Sequence, residues 1–195
     1  MDKSKRITAL KAALAQRILV LDGAMGTAIQ SFDLGPDDFG GPEYEGCNEY
    51  LVVTRPDVIE SIHQGHLDAG ADIIETDTFG AMPIVLSEYS LAHEARRLNR
   101  EAAVIALKAA DAAATPEKPR FVAGSMGPTT KTISVTGGVT FEELADTHAE
   151  FVEDYEELAP EASRIFYANG TAFAVNWGDT PVGDLEPLGY RIDSG

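Results

Sequence analysis

Short apolar runs alternate with longer amphipathic stretches along the first two thirds of the chain. The first run, residues 18–21, ends at the turn signal Asp22-Gly23, and two further runs of strand length follow at 71–74 and 121–124. Short runs bounded by glycine, with no polar alternation, are typical of strands that are buried on both faces. The pattern therefore predicts three buried strands.

Apolar residues at helical spacing fill the intervals between these runs. They predict a lead-in helix over 5–16, and a second helix that begins at Pro56 and ends at Gly70, the residue type favoured just past a helix. A long alanine-rich helix is predicted over 87–114, whereas residues 31–50, rich in Gly, Pro, Asp and Glu, are predicted to form a long loop. This order of strands and helices predicts right-handed crossovers and an α/β fold with a parallel sheet.

The carboxyl-terminal part has a different pattern. A helix is predicted over 141–158, with Thr140 or Thr136 as its cap. Glycine and proline then become frequent, and the alternating apolar residues in RIFYANGTAFAVNW are typical of one hairpin. The predicted domains are residues 1–158 and a divergent Gly/Pro-rich tail, residues 159–195.

Composition limits the classes of function. The 195 residues carry a net charge of −17, which repels nucleic-acid phosphates and anionic lipid. The single cysteine, Cys47, allows neither an internal disulfide nor a multi-cysteine zinc site within this chain. No apolar run approaches the ~20 residues of a membrane span, and the charged helical start lacks a signal-peptide core. We therefore expect a cytoplasmic protein that binds neither nucleic acid nor membrane.

Polar loops follow all three predicted strands, at the ends where parallel α/β sheets bind ligands. In the first loop, Asp22 can hold an ammonium group, while Gly23 and Gly26 let backbone N–H groups approach an anion such as a carboxylate. The same residues also suit a tight turn in which Asp22 is a cap. Their spacing is that of neither a dinucleotide-binding fingerprint nor a P-loop.

The second and third loops also allow two interpretations. In the second, residues 75–79, Glu75 and Asp77 are two residues apart and would share one face of a strand. They could perturb each other's pKa or bind a cation, or one could cap the next helix while the other is solvated. The third loop, residues 124–129, offers backbone donors and hydroxyl groups but favours a structural turn.

Other chemically capable residues favour structural roles. His63 and His66 have the spacing of a metal-ligand pair, on a helix expected to pack outside the sheet and far from the strand ends. Cys47 has no evident His or Asn partner in sequence, and a free cysteine is more often inert than nucleophilic. Trp177 and Tyr167 are predicted to pack within the tail.

Four stretches carry a family resemblance: RILVLDGAMGT, GCNEYLVVTRPDVIESIH, AGADIIETDTFGA and PRFVAGSMGPTTKT. In this order they resemble the homocysteine S-methyltransferase family, and within it the amino-terminal module of cobalamin-dependent methionine synthases. The similarity is dense over residues 17–145 and implies a (β/α)8 TIM barrel. We expect this chain to be a partial barrel, with about the first three βα units and an irregular carboxyl-terminal tail.

The resemblance implies a methyltransferase that binds homocysteine and methylates its thiol to give methionine. In the family, zinc held by three cysteine thiolates keeps the substrate sulfur as a thiolate. The methyl donor, methylcobalamin or methyltetrahydrofolate, comes through other modules. By motif, an aspartate lies near the substrate amino group, the loop after it meets the carboxylate, and two residues match the second strand end. These implied substrate-binding residues are Asp22, Gly23, Ala24, Met25, Glu75 and Thr76.

The sequence also departs from the family's pattern. The zinc cysteines, one after a Gly-Val/Leu-Asn stretch and two in a Gly-Gly-Cys-Cys motif, have no counterpart, and Cys47 matches none of them. A glutamate expected at the fourth strand end is missing, and Asp77 stands where the family usually has Asn. The family thus implies zinc and cobalamin, but the zinc ligands are missing here and cobalamin is expected on another module. An alternative is an inactive partial barrel, either a binding or assembly piece or a gene fragment.

Overall fold

The structure is a computed structural model that describes residues 3–131, 138–140, 143–144 and 147, together with the backbone of four strands within 152–194. The chain separates into two compact units, Met1–Thr130 and Lys131–Gly195. The predicted domain boundary at residue 158 falls inside the second unit, and it stays a prediction.

The first unit consists of helices around a short parallel sheet. Its helices and strands are α1 (Lys3–Gln16), α2 (Met25–Gln30), α3 (Leu51–Thr54), α4 (Pro56–Ala69), β1 (Ile73–Glu75), α5 (Pro83–Leu86), α6 (Ala95–Ala113) and β2 (Phe121–Ala123). Short 3-10 turns lie at Pro42–Tyr44, Asn48–Tyr50, Ser87–Tyr89 and Ala92–Glu94. The predicted α/β order is confirmed over this unit.

Three extended segments of the first unit lie side by side in parallel. β1 pairs with β2 in parallel, with Ile73 opposite Phe121, and Ile73 also forms a parallel bridge with Leu21. Because parallel neighbours place their carboxyl ends at one edge, the loops after all three segments meet there. The predicted parallel sheet is confirmed.

The prediction for residues 18–21 was wrong in two respects. The segment forms a single β-bridge and is no regular strand, and the side chains of Ile18, Val20 and Leu21 are 89%, 56% and 49% exposed. The physical reason is position, because within the described ranges no further strand pairs with the outer side of this segment. It is therefore an edge of the described sheet.

The helices α4 and α6 supply much of the core, together with residues of α2, α3 and α5. α4 begins with Pro56 at its first helical position and ends at Gly70, whose φ of +108° favours glycine, as predicted. α4 packs against α6, and alanines on the inner face of α6 let its backbone come close to the neighbouring elements. These buried alanines are Ala102, Ala106, Ala109 and Ala110.

The long helix is shorter than the predicted 87–114. α6 begins at Ala95, and residues 87–94 form two 3-10 turns. Ser90 lies between these turns with a φ of +60°, a left-handed conformation that interrupts a right-handed helix. Apolar spacing alone does not reveal this interruption.

The second unit is described mainly by its backbone. Four strands, β3 (Val152–Ala159), β4 (Ala162–Tyr167), β5 (Thr171–Asn176) and β6 (Tyr190–Ser194), form an antiparallel sheet in chain order. β4 and β5 confirm the predicted hairpin. Tyr167 is the last residue of β4, and Trp177 lies outside the described residues.

The helix expected over 141–158 was wrong at its carboxyl end, because the backbone from Val152 is a strand paired with β4. Pairing between strands overrides the helical preference of this Glu-rich segment. The predicted cap at Thr140 is present, since its hydroxyl accepts the Glu143 N–H at 3.1 Å and the Glu143 carboxylate accepts the Thr140 N–H at 2.8 Å. The alternative cap, Thr136, lies outside the described residues. Within those residues, no helix combines the length and apolar character needed to cross a membrane.

Candidate functional site

Asp22 lies at the carboxyl end of the first extended segment, at the edge where the loops meet. Its N–H donates to the Ile73 carbonyl at 2.9 Å, and its carboxylate accepts the Glu75 N–H at 3.0 Å. The side chain is half-buried, and this burial raises the pKa of Asp22 above its usual range. A partly desolvated carboxylate gains from a cationic partner, so the group is suited to an ammonium ligand.

The loop after Asp22 presents backbone donors. Among the described residues, none of the N–H groups of residues 23–27 donates to another protein group, and the first bond into α2 runs from the Ala28 N–H to the Ala24 carbonyl at 3.1 Å. Nothing lies within 4 Å of the position that a Cβ would take at Gly23. These amides are therefore accessible to a ligand carboxylate beside Asp22.

Thr76 and Thr78 join the second loop to the third. The Thr78 hydroxyl donates to the Ser125 carbonyl at 2.6 Å, and the Ser125 N–H donates to the Thr76 hydroxyl oxygen at 3.1 Å. The two threonine hydroxyls are 2.7 Å apart. Because Thr78 has already donated its proton, Thr76 is the donor between them. Thr76 is buried, and its hydroxyl is used in holding the two loops together.

The third loop forms a structural turn and part of an apolar rim. The Gly127 N–H donates to the Phe79 carbonyl at 2.9 Å, and a Cβ at Gly127 would lie only 2.5 Å from the Phe79 ring. Phe79 and Met126 remain 58% and 43% exposed. The absence of a side chain at Gly127 thus lets Phe79 lie across this loop, at the same edge as Asp22.

Glu75 and Asp77 do not form the pair expected from their spacing. β1 ends at Glu75, so the alternation of a strand does not extend to Asp77. Glu75 is half-buried next to Asp22, whereas Asp77 is 4% exposed and faces Glu49. The structure therefore contains two other carboxylate pairs, Asp22 with Glu75 and Glu49 with Asp77.

Sequence reasoning assigned no role to Asn48 and Glu49, which lie in the segment predicted as a loop. The Glu49 carboxylate accepts the Gly80 N–H at 2.7 Å, and the Asn48 side-chain nitrogen lies 3.6 Å from the Cβ position of Gly26. The segment around these residues thus contacts both the first and the second loop. The only available signal was the presence of GCNEY within a stretch that resembles the family.

The two histidines differ in environment. His63 is fully buried, neither ring nitrogen has a hydrogen-bond partner within the described residues, and burial lowers the pKa of His63 to about 4. His66 is partly exposed and close enough to Asp22 to oppose the rise in its pKa. The expectation that this helix lies far from the strand ends was therefore wrong for His66.

Cys47 is a buried thiol. It is 1% exposed, and burial, reinforced by the nearby Glu49 carboxylate, raises the pKa of Cys47 to about 12. Metal-binding cysteines are thiolates, so this environment opposes metal binding. No cluster of three or more His, Cys, Asp or Glu side chains in the described part of the chain could hold a metal ion. The described residues therefore do not fit a three-thiolate zinc site.

Comparisons with known proteins agree with the sequence motifs. The homocysteine S-methyltransferase profile matches residues 19–169. Methionine synthase of Mycobacterium leprae is 46% identical over 143 residues, and that of Mycobacterium tuberculosis is 44% identical over 149 residues. These alignments cover 73% and 76% of this chain but only 12% of either relative, so the chain spans a small part of their length.

Solved structures show a similar fold. The oxidized form of the homocysteine methyltransferase MmuM from Escherichia coli matches with a TM-score of 0.51 and 25% identity, over 76% of this chain and 46% of that chain. The metallated form of MmuM matches with a TM-score of 0.50 and 25% identity, over 76% and 48%. The likeness therefore extends over most of this chain and about half of the solved one.

Proposed function

Because this chain belongs to the homocysteine S-methyltransferase family, we propose that it forms the amino-acid-binding part of an enzyme that converts homocysteine to methionine. In this reaction the substrate sulfur forms a bond to the methyl carbon, the thiol loses its proton, and the donor loses its methyl group. The donor is methylcobalamin or methyltetrahydrofolate, presented by other modules. The observation that carries the proposal is the half-buried Asp22 carboxylate at the strand end.

The arrangement around Asp22 matches the two charged groups of an amino acid. An α-ammonium and an α-carboxylate are attached to the same carbon, so their binding groups must be neighbours. Asp22 supplies a carboxylate for the ammonium, and the amides of Gly23, Ala24 and Met25 supply donors for the carboxylate. These groups follow one another in the chain, so one short loop can bind both ends of the amino-acid head.

Glu75 and Thr76 support this arrangement. The Glu75 N–H fixes one Asp22 oxygen, and the half-buried Glu75 carboxylate adds negative charge beside the proposed ammonium site. Thr76 holds the second loop against the third through Ser125. We therefore propose that Glu75 contacts the ammonium group and that Thr76 contributes mainly by positioning the loop.

We propose that the zinc ion and the methyl donor are held by parts of the enzyme other than residues 3–131. Zinc requires thiolate ligands that the described residues lack, and cobalamin is expected on another module. The parallel order of the three extended segments supports a partial (β/α)8 barrel, and the family match supports its assignment. The number of βα units, about three, is part of this proposal.

Calorimetric titration with homocysteine tests the binding role directly. Asp22→Asn should weaken homocysteine binding by about 10- to 100-fold, because a hydrogen bond to a charged group contributes about 1.5–3 kcal/mol. Asp37→Asn removes one negative charge from an exposed position and should leave the affinity unchanged. Absence of measurable homocysteine binding by the unmodified chain contradicts the proposed function.

A ligand without the amino group identifies the contact. 4-Mercaptobutanoate has the thiol and carboxylate of homocysteine but no ammonium group. Asp22→Asn should therefore change its affinity little, or raise it because a negative charge has been removed. An equal loss of affinity for both ligands would show that Asp22 shapes the loop and does not hold the ammonium.

One observation favours the alternative of an inactive binding or assembly piece. The exposed apolar side chains of Ile18, Val20 and Leu21 lie on an edge that another chain could cover. Sedimentation velocity distinguishes the forms of this alternative, because a discrete oligomer indicates assembly whereas a heterogeneous aggregate indicates a fragment. Homocysteine binding, by a monomer or by a discrete oligomer, favours the enzyme module.

A further inference from the structure

Asp77 is a buried carboxyl group that the proposed function leaves without a role. It lies on the loop after β1, is 4% exposed, and its Oδ2 has no hydrogen-bond partner among the described residues. An ionised carboxylate in such a place lacks both water and a counter-charge, which is strongly unfavourable. The neutral acid avoids this cost.

The groups that face Asp77 also disfavour its ionisation. Glu49 comes from the 3-10 turn Asn48–Tyr50, and the Cys47 thiol precedes that turn. Tyr89, from the neighbouring turn Ser87–Tyr89, faces Cys47 and Glu49. All of these groups are acids, and no cation faces Asp77 in the described part of the chain. Burial raises the pKa of Asp77 well above its usual range, and Glu49 adds to the rise.

Glu49 is also the contact that holds the second loop in place. Its carboxylate accepts the Gly80 N–H at 2.7 Å and occupies the space that a Cβ at Gly80 would need. The other end of the loop is fixed at Thr76, through Ser125. Asp77 lies between these two attachments. A second negative charge at Asp77 would repel Glu49 and draw water into the buried side of the loop.

Asp77 is linked to Asp22 through the backbone of the loop and one hydrogen bond. Glu75, two residues before Asp77, donates its N–H to the Asp22 carboxylate at 3.0 Å. A displacement of residues 76–80 would therefore reach the group proposed to hold the substrate ammonium. This part of the argument rests on the proposed function.

We propose that Asp77 is a positioning residue that acts as a neutral acid, keeping residues 76–80 attached to Glu49 and Glu75 aligned with Asp22. Loss of its proton releases the loop and weakens amino-acid binding. Homocysteine affinity is thus coupled to one proton at a residue that does not touch the ligand.

The pH dependence of stability tests this proposal without a ligand. A carboxyl group with a raised pKa stabilises the fold fully below its unfolded pKa, and that stability is lost as the pH rises through its folded pKa. Asp77→Asn is a neutral isostere and should remove this loss. The gain in melting temperature of Asp77→Asn over the unmodified chain should therefore be absent at pH 4 and grow towards pH 8. Asp37→Asn, the exposed control, should show no such growth.

Two further measurements keep the test decisive. In the unmodified chain, the hydrogen-exchange rate of the Gly80 amide should rise with pH more steeply than the intrinsic exchange rate. In Asp77→Asn, it should rise with pH only as steeply as the intrinsic rate. If Asp77→Asn does not fold, the carbon-13 shift of the Asp77 carboxyl in the unmodified chain reports its protonation, and a neutral acid at pH 7 is expected. The proposal would be overturned if the melting temperatures of the unmodified chain and of Asp77→Asn changed in parallel with pH, or if Asp77 were ionised at pH 7.

Binding measurements separate this inference from the proposed function. The affinity ratio of Asp77→Asn to the unmodified chain for homocysteine should rise with pH, by up to about tenfold per pH unit, the limit for one proton. If homocysteine binds to neither protein, the proposed function fails while the stability profiles still test Asp77. If both bind with a ratio that is constant across pH, the coupling is wrong and the proposed function stands.

Discussion

Three aspartates beside the parallel segments differ in the direction of their pKa shifts because their partners differ. Asp72 is buried but receives both Arg17 guanidinium nitrogens at 2.7 Å and the Val20 N–H at 2.9 Å, and Arg17 lowers the pKa of Asp72 to about 2. In the described part of the chain, no arginine or lysine pairs with Asp22 or Asp77, and burial raises the pKa of each. Hydrogen-bond partners, more than burial itself, thus decide whether a carboxylate stabilises this fold or is available for function.

Replacement of Asp72 tests the structural member of this set. Asp72→Asn should lower the free energy of unfolding in urea by about 2 kcal/mol at pH 7, because it removes the charge of a buried carboxylate that accepts hydrogen bonds from the partly exposed Arg17 guanidinium and from the Val20 N–H. Asp111→Asn breaks the more exposed pair with Arg6 and should cost less than about 1 kcal/mol. Because the folded pKa of Asp72 is lowered, its contribution is full above the unfolded pKa and is lost as the pH falls towards 2. An equal loss of unfolding free energy in the two variants would show that the burial of Asp72 does not strengthen its ion pair.

The residues of the candidate site were predictable from sequence only where the local pattern of residues determines their position. Asp22 stands at the end of an apolar run, so its place at the edge of the sheet follows from the sequence. Glu49 belongs to a segment without periodicity, and its contact with Gly80 depends on the path of a long loop. The environment of Asp77 depends on that same contact, so spacing to Glu75 predicted the wrong partner.

At the scale of elements, signals at the ends of elements were more informative than apolar spacing. Pro56 and Gly70 set the bounds of α4 because proline and glycine restrict or extend the allowed backbone angles. The start of α6 depends on the left-handed Ser90, which no sequence signal indicated. β3 likewise depends on pairing with β4, a contact outside its own sequence.

The inner face of α4 contains a group that titrates in acid. His63 is fully buried, and its lowered pKa of about 4 means that its contribution to stability is full above the unfolded pKa near 6.5 and is lost as the pH falls through 4. His63→Leu should remove this loss, which amounts to about 3 kcal/mol for a shift of this size. The measurement is the free energy of unfolding from pH 7 to pH 4. His93→Leu changes an exposed position and should retain the acid sensitivity. If the His93→Leu variant lost the acid sensitivity, the assignment to His63 would be contradicted.

At the scale of the molecule, the first unit combines a buried helical layer with an uncovered sheet edge. Ile18 and Val20 are exposed, although short apolar runs in parallel sheets are normally covered. The solved relatives are about twice as long as the matched region, and the methionine synthases are longer still. Within the described residues, this edge is therefore backbone that is available to pair with a further strand.

The exposed edge gives a prediction about association. Exposed apolar edges template pairing with other chains, so we expect the 195-residue chain to self-associate and the double variant Ile18→Lys, Val20→Lys to shift towards monomer in sedimentation velocity. Val104→Lys with Leu107→Lys is the matched control, because both residues are exposed apolar positions on α6, away from backbone that can pair. Equal association of the two double variants would show that general hydrophobicity, and not the sheet edge, drives contact between chains. A monomeric unmodified chain would show that this edge does not recruit a second copy, and would leave homocysteine binding as the property to test first.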